Sequence, residues 1–372
     1  MVNITKTKPF EYNVNRETSG KDNYNAIDLA KFICAVLVVI IHVPIWRSYG
    51  GAGVYYHVDF LLRQAICRIA VPLFFVFSGF FLYRKTALNN FSMNPTKKYV
   101  MHILFLYIEW SIIYFPLYLI MSPISSTGLL HGLSIYIRDF FLIGSYTHLW
   151  YLPALIFAVL LISLLLHLKC NPNKILLISF IFYVFGLLGD AYFGAISHLL
   201  EHEFLGKSSE LYFSIFGTTR NGLFFAFFFV SVGMAFSNAK KTLSTKKALL
   251  FFLISLFMLC TESFLLKIFS IAADYNILIF AIPAACFGFA FLESLNLKDN
   301  KIYKNLRKLS SLIFYGHLWV DFGVSSFLSL TAKNLQGTPV HFLGVLFLTI
   351  TIALIVIKIS QKKSFHWLKK LY

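Results

Sequence analysis

Ten apolar segments, each long enough to cross a bilayer, constrain this chain more than any motif in it. They run roughly over 26–47, 66–83, 99–121, 148–168, 174–192, 219–237, 247–268, 275–293, 310–330 and 340–359. A helical span needs about 20 predominantly apolar residues, because a helix rises about 1.5 Å per residue and the hydrocarbon core is roughly 30 Å thick. With 58% hydrophobic and 13% charged residues and a mean hydropathy of +0.72, a soluble globular fold is excluded. The pattern predicts an all-α, polytopic transmembrane helical bundle of about ten spans.

Charge orients the bundle. The formal net charge is +17, which on a soluble module would raise nucleic acid as a partner. Here the basic residues alternate with the spans instead. If the N-terminus is inside, 24 of the 33 Lys and Arg fall on inner segments and 6 on outer ones. The positive-inside rule then places both termini in the cytoplasm, and no nucleic-acid partner is expected. Membrane lipid is. Residues 1–25 read as a polar cytoplasmic tail, 26–360 as the membrane domain and 361–372 as a basic cytoplasmic tail. No small-residue cleavage site follows the first apolar run, so it is expected to be a retained span.

The first span, NAIDLAKFICAVLVVIIHVPIW, carries Asp28 and Lys31 near its start and His42 just before Pro44. The steps from Ile27 to His42 carry the imidazole roughly 22 Å along the axis, past the midplane but still within the membrane. Ionisable groups at that depth are expensive and mark sites. Asp28 lies about 21 Å from His42 along the helix and cannot orient its ring, whereas Glu109 or Asp190 from another helix can.

The remaining polar residues of the spans are few. Arg68 stands at the entrance of the second span, one turn before Pro72, with Ser78-Gly79 deeper. Glu109 lies in the third. His148 opens the fourth in THLWYLPA, where Trp150 and Tyr151 are expected to form an aromatic belt. Asp190 ends the fifth, Arg220 and Asn221 open the sixth, and Glu262 lies toward the outer end of the seventh. In the ninth, His317 and Asp321 are four residues apart, on one helical face, and are expected to pair. His42, Arg68, His148, Asp190, Arg220 and Glu262 all project to the outer half of the membrane, which predicts a shared outward-facing cavity.

The five cysteines are scattered without a CxxC pair, so neither a metal site nor a disulfide framework is expected. No P-loop or dinucleotide fingerprint is present.

Three of these patterns together resemble the integral-membrane acyltransferases of acyltransferase family 3. Asp28, Lys31 and His42 are similar to that family's first-span Asp, basic residue and His. Arg68, Pro72, Phe74 and Ser78-Gly79 are similar to its second-span pattern, and His317 to the His of its penultimate span. HLWYLPA, GLLGDAYFG and TTRNGLFFAFFF, in that order, resemble the membrane half of the membrane-bound serine racemases of vancomycin-resistant bacteria. Those proteins continue into a pyridoxal-phosphate domain, which is not expected here.

The resemblance implies a multi-pass protein of the bacterial cell membrane. It implies transfer of an acyl group, commonly acetyl, from acetyl-CoA or another acyl-CoA to a hydroxyl of an extracytoplasmic glycan or envelope precursor. His42 would act as general base or be acylated itself. Lys31, Lys97 and Lys98 would hold the CoA phosphates; the family has arginine at the first of these and paired arginines before the third span, and lysine replaces their bidentate grip with a point charge. Arg68, His148, Asp190, Arg220, Asn221 and Glu262 would bind the acceptor or stabilise the oxyanion. The racemase branch implies an alternative, an L-serine or amino-acid permease or binding protein. There Arg68 or Arg220 would take the carboxylate, Asp190 or Glu262 the ammonium, and His42 would relay protons. A non-catalytic scaffold is a third reading.

Overall fold

The computed structural model describes residues 24–46, 53–88, 93–121, 128–239 and 243–372. Apart from Tyr24 and Asn25, the polar tail read over 1–25 lies outside them. Among the described residues there are thirteen α-helices and no strand.

Each of the ten apolar segments is helical. The first is α1 (Asn25–His42). The second is entered through a short helix, α2 (Val54–Gln64), and a single 3₁₀ turn at Ile66–Ile69 before α3 (Ala70–Leu88). Pro72 falls in the first turn of α3, where a missing N–H costs little. Then come α4 (Asn94–Met121), a surface helix α5 (Leu129–Leu142), α6 (Tyr151–His167) and α7 (Pro172–Leu188). A further surface helix, α8 (Glu203–Phe216), precedes a π-type turn at Gly222–Ala226 that runs into α9 (Phe227–Asn238). The bundle ends with α10 (Thr245–Ile268), α11 (Ala281–Ser294), α12 (Lys301–Thr331) and α13 (Pro339–Ile359).

By length and composition alone, five helical segments suffice to cross a membrane. They are α1, the run from Val54 to Thr86, α4, α10 and α13. The count becomes six if α7 and the 3₁₀ segment Phe193–Glu201, bent by 79° from each other, form one broken span. The shorter apolar helices are α6, α9 with its π turn, and α11.

Small residues set which helices touch. A Cβ on Gly79 of α3 would lie 2.2 Å from the Val230 carbonyl oxygen of α9, and one on Gly233 of α9 would lie 2.2 Å from that of Val76. Only glycine admits that approach, the usual way membrane helices pack when burial offers no hydrophobic driving force. α1 packs against α12 and α3, with Ala30, Cys34, Ala35, Val38 and Val39 buried along one face. α10 and α13 expose most of their apolar side chains, the pattern of lipid-facing scaffold. Residues 361–372, read as a basic tail, fold back under the bundle. Trp110 Nε1 donates to the Leu371 carbonyl at 3.2 Å, and the Ser360 and Tyr372 hydroxyls are 2.7 Å apart.

Candidate active site

Two cavities lie along α1. The one at its start, about 540 Å³, is rimmed by Lys31, His102, Arg307 and Lys308 and walled by aromatic rings such as Phe77 and Tyr99. Lys31 sits 3.7 Å from Asp28 and 4.9 Å from the centre of the Phe81 ring. Arg307 reaches to 3.8 Å from Asp28. Asp28 therefore organises the basic rim and takes no part in the chemistry around His42. Lys97 and Lys98 are exposed at the start of α4 and do not line this cavity. His102, one turn further on, does.

The second cavity, about 40 Å³, lies at the far end of α1 and is lined by His42, Arg68, His148 and Arg220. Three imidazoles meet beside it. The ring centres of His42 and His317 are 5.3 Å apart, those of His148 and His317 5.2 Å, and those of His42 and His148 6.4 Å. Backbone carbonyls fix two of the tautomers. His317 Nδ1 donates to the carbonyls of Phe314 (2.9 Å) and Ile313 (3.1 Å), and His148 Nε2 donates to that of Tyr315 (3.2 Å). That leaves His317 Nε2 and His148 Nδ1 as buried lone pairs without a hydrogen-bond partner in the protein. Among the described residues no three His, Cys, Asp or Glu side chains are grouped to hold a metal ion.

The two arginines form a clamp on one side of this pocket. Arg68 donates to Gln64 Oε1 and Asn276 Oδ1 and lies 3.8 Å from Asp274. Arg220 donates to the same Asn276 Oδ1 at 2.9 Å and covers the Trp150 ring at 4.8 Å, a cation–π contact. Asn276 is held from behind: its backbone N–H and that of Ile277 donate to Asp190 Oδ1 at 2.8 and 3.0 Å, and its amide donates to Asp190 Oδ2 at 3.2 Å. Asp190 therefore positions the clamp and does not itself face the pocket. Arg220 Nε is buried with no hydrogen-bond partner among the described residues.

Other expected site residues have structural employment. Glu262 accepts from Tyr192 Oη (2.7 Å) and from the N–H groups of Ile279 (2.7 Å) and Phe280 (2.9 Å), capping the start of α11. Asn221 accepts from the N–H groups of Leu223 and Phe224 and so caps the π turn. Neither lines the pocket. Glu109 has a buried oxygen with no hydrogen-bond partner, and neither it nor Asp190 hydrogen-bonds His42. His317 and Asp321 do not pair: Asp321 turns to His341 of α13, 3.2 Å away, while His317 faces the other two imidazoles. Trp150 and Tyr151, expected in a lipid-facing belt, are buried at 8% and 7% exposure in the wall of the pocket.

Several residues of this site carry no charge and no motif in the sequence. Gln64, Asn276, Tyr315 and Phe314 belong to this group. Asn276 was the most accessible of them, since Asp274 and Asn276 are polar residues at the mouth of an apolar run.

The fold is an all-helical membrane bundle in which the half-buried His42 lines the smaller of the two cavities. The acyltransferase domain model of the acyltransferase 3 family covers residues 24–358, and the chain belongs to that family. It is a bacterial multi-pass membrane protein. Among curated proteins it is 31% identical over 343 residues to a serine/alanine racemase of Enterococcus gallinarum, covering 91% of this chain and 46% of that protein. It is 30% identical over 348 residues to an amino-acid racemase of Enterococcus faecalis, covering 92% of this chain and 47% of that protein. The chain thus spans about half the length of the curated relatives it matches. No solved structure matches it.

Proposed function

We infer that the chain moves an acyl group, acetyl in the first instance, from acyl-CoA to a hydroxyl of an extracytoplasmic envelope acceptor. The observation that carries this reading is the pair of cavities on one helix. One has a basic rim at the end where the positive-inside rule puts the cytoplasm; the other, at the far end, holds the histidines and arginines. Lys31, Arg307 and Lys308 suit the phosphates of CoA as point charges and donors. His42 takes the proton of the acceptor hydroxyl as its oxygen attacks the thioester carbon. The C–O bond forms, the C–S bond breaks, and the proton passes to the departing thiolate. In a variant of the same scheme His42 is acylated first and the hydroxyl attacks that intermediate. Arg68 or Arg220 stabilises the oxyanion or holds an anionic group of the acceptor.

The test is label transfer from radiolabelled acetyl-CoA to an envelope extract by the purified protein in nanodiscs, wild type against His42→Ala. Transfer lost in the variant supports the reading; no CoA binding and no transfer removes it.

A second reading draws on the Arg68–Asp274 contact and on relatives named as racemases of serine and alanine. A guanidinium beside a carboxylate suits the two charges of a free amino acid, and the chain would then bind or carry one. Labelled serine in the same nanodiscs distinguishes the two, since this reading needs no CoA.

A further inference from the structure

Phe74, Tyr151 and Phe314, from α3, α6 and α12, form one aromatic cluster. Ring centres lie 5.6 Å apart for Tyr151 and Phe314, 5.7 Å for Phe74 and Phe314, and 6.1 Å for Phe74 and Tyr151. Tyr151 and Phe314 line both cavities, and Phe74 lines only the basic one, so the cluster stands between them. It is held on both sides. The Tyr151 hydroxyl is 3.2 Å from Ser78 Oγ, which itself donates to the Phe74 carbonyl at 2.8 Å. On the far side the Phe314 ring is 5.8 Å from that of His148.

The two spaces differ greatly in size, about 540 against about 40 Å³. The pocket beside His42 is thus a confined space next to the basic cavity, where a short acyl group fits more easily than a long one. Rings held in close packing do not give way cheaply.

We propose that the Phe74–Tyr151–Phe314 cluster is the acyl-length filter of this enzyme. A group as short as acetyl passes the rings and reaches His42, while longer chains stay on the basic side. This rests on the acyl-transfer reading above. The chemistry is unchanged by it: thioester C–S broken, ester C–O formed, hydroxyl proton delivered to the CoA thiolate.

The experiment uses the full chain in nanodiscs with acetyl-, butyryl- and hexanoyl-CoA as donors and the envelope extract as acceptor. One surplus methylene in a fitted pocket costs roughly 10–200-fold, so wild type should favour acetyl over hexanoyl by at least about 10-fold in kcat/KM. Phe314→Ala should shrink that ratio by about 10-fold or more, through a gain with hexanoyl-CoA. Tyr151→Phe, which keeps the ring, should retain the wild-type ratio. Phe314→Leu removes the ring with less lost volume and replaces the alanine variant if gel filtration shows that it does not fold. A flat donor profile in wild type, or a folded ring-deletion variant with the wild-type ratio, overturns the filter. Absence of transfer from every CoA donor in wild type instead removes the acyl-transfer reading, and the filter falls with it.

Discussion

Arg68 and Arg220 converge on a single atom: the Nη1 of each donates to Asn276 Oδ1. Two guanidiniums repel one another, and the amide oxygen between them holds both facing one small pocket. Asp190 in turn fixes Asn276 through two hydrogen bonds and accepts a third from the Ile277 N–H.

Replacing Asn276 with leucine therefore removes the shared acceptor without touching either cation. A hydrogen bond to a charged group contributes about 1.5–3 kcal/mol, so the KM for the acceptor should rise roughly 10- to 100-fold with a smaller change in kcat. Steady-state kinetics with varied acceptor checks this. An unchanged KM would take the arginine clamp out of acceptor binding.

The imidazole cluster makes a different prediction. With Nδ1 of His317 tied to two carbonyls, its Nε2 offers a lone pair beside His42. His317→Leu deletes that acceptor and should lower kcat, with KM for the acyl donor little affected. The loss should be smaller than that of His42→Ala, because general-base transfer itself contributes typically about 10²- to 10⁴-fold. Equal losses in the two variants would mean that both imidazoles handle the transferred proton.

How much of this was open to inspection in the sequence varies by level. Helical segments were legible because length and hydropathy decide them, and His42, Arg68, His148 and Arg220 were legible because a charge or imidazole in an apolar run is costly. Partnerships were not. The spacing of His317 and Asp321 puts them on one face, but α13 brings His341 to Asp321 and α1 brings His42 to His317, and sequence spacing does not say which helices are neighbours. Glu262 and Asn221 look like site residues for the same reason that His42 does. Only the backbone N–H groups at the starts of α11 and the π turn explain them otherwise. Tyr151 and Phe314 carry no sequence signal among so many aromatic residues.

The basic rim separates two sets of lysines and arginines that composition alone treats alike. Lys31 and Arg307 line the large cavity, whereas Lys97 and Lys98 are exposed and outside it. Lys31→Ala and Arg307→Ala should each raise the KM for acetyl-CoA by about 10-fold, the scale of one charge-assisted hydrogen bond. The Lys97→Ala, Lys98→Ala double variant should change it less than about threefold, as screened surface charges do. A larger effect in the double variant would place the CoA phosphates at the start of α4 instead.

Gly79 and Gly233 define the last prediction, which concerns the frame that carries Phe74 and the segment after Arg220. Each glycine lies against the other helix's backbone, and a single methyl on either would stand 2.2 Å from a carbonyl oxygen that cannot rotate away. Gly79→Ala or Gly233→Ala must push α3 and α9 apart, and overpacking of this kind costs about 1–3 kcal/mol. Because either change opens the same contact, the second should add little to the first, so the double variant's loss should fall well short of the sum. Thermal unfolding of the four proteins in one detergent measures this. Additive losses would show that the two glycines relax independently, and that the α3–α9 contact is not the single rigid seam that the close approach implies.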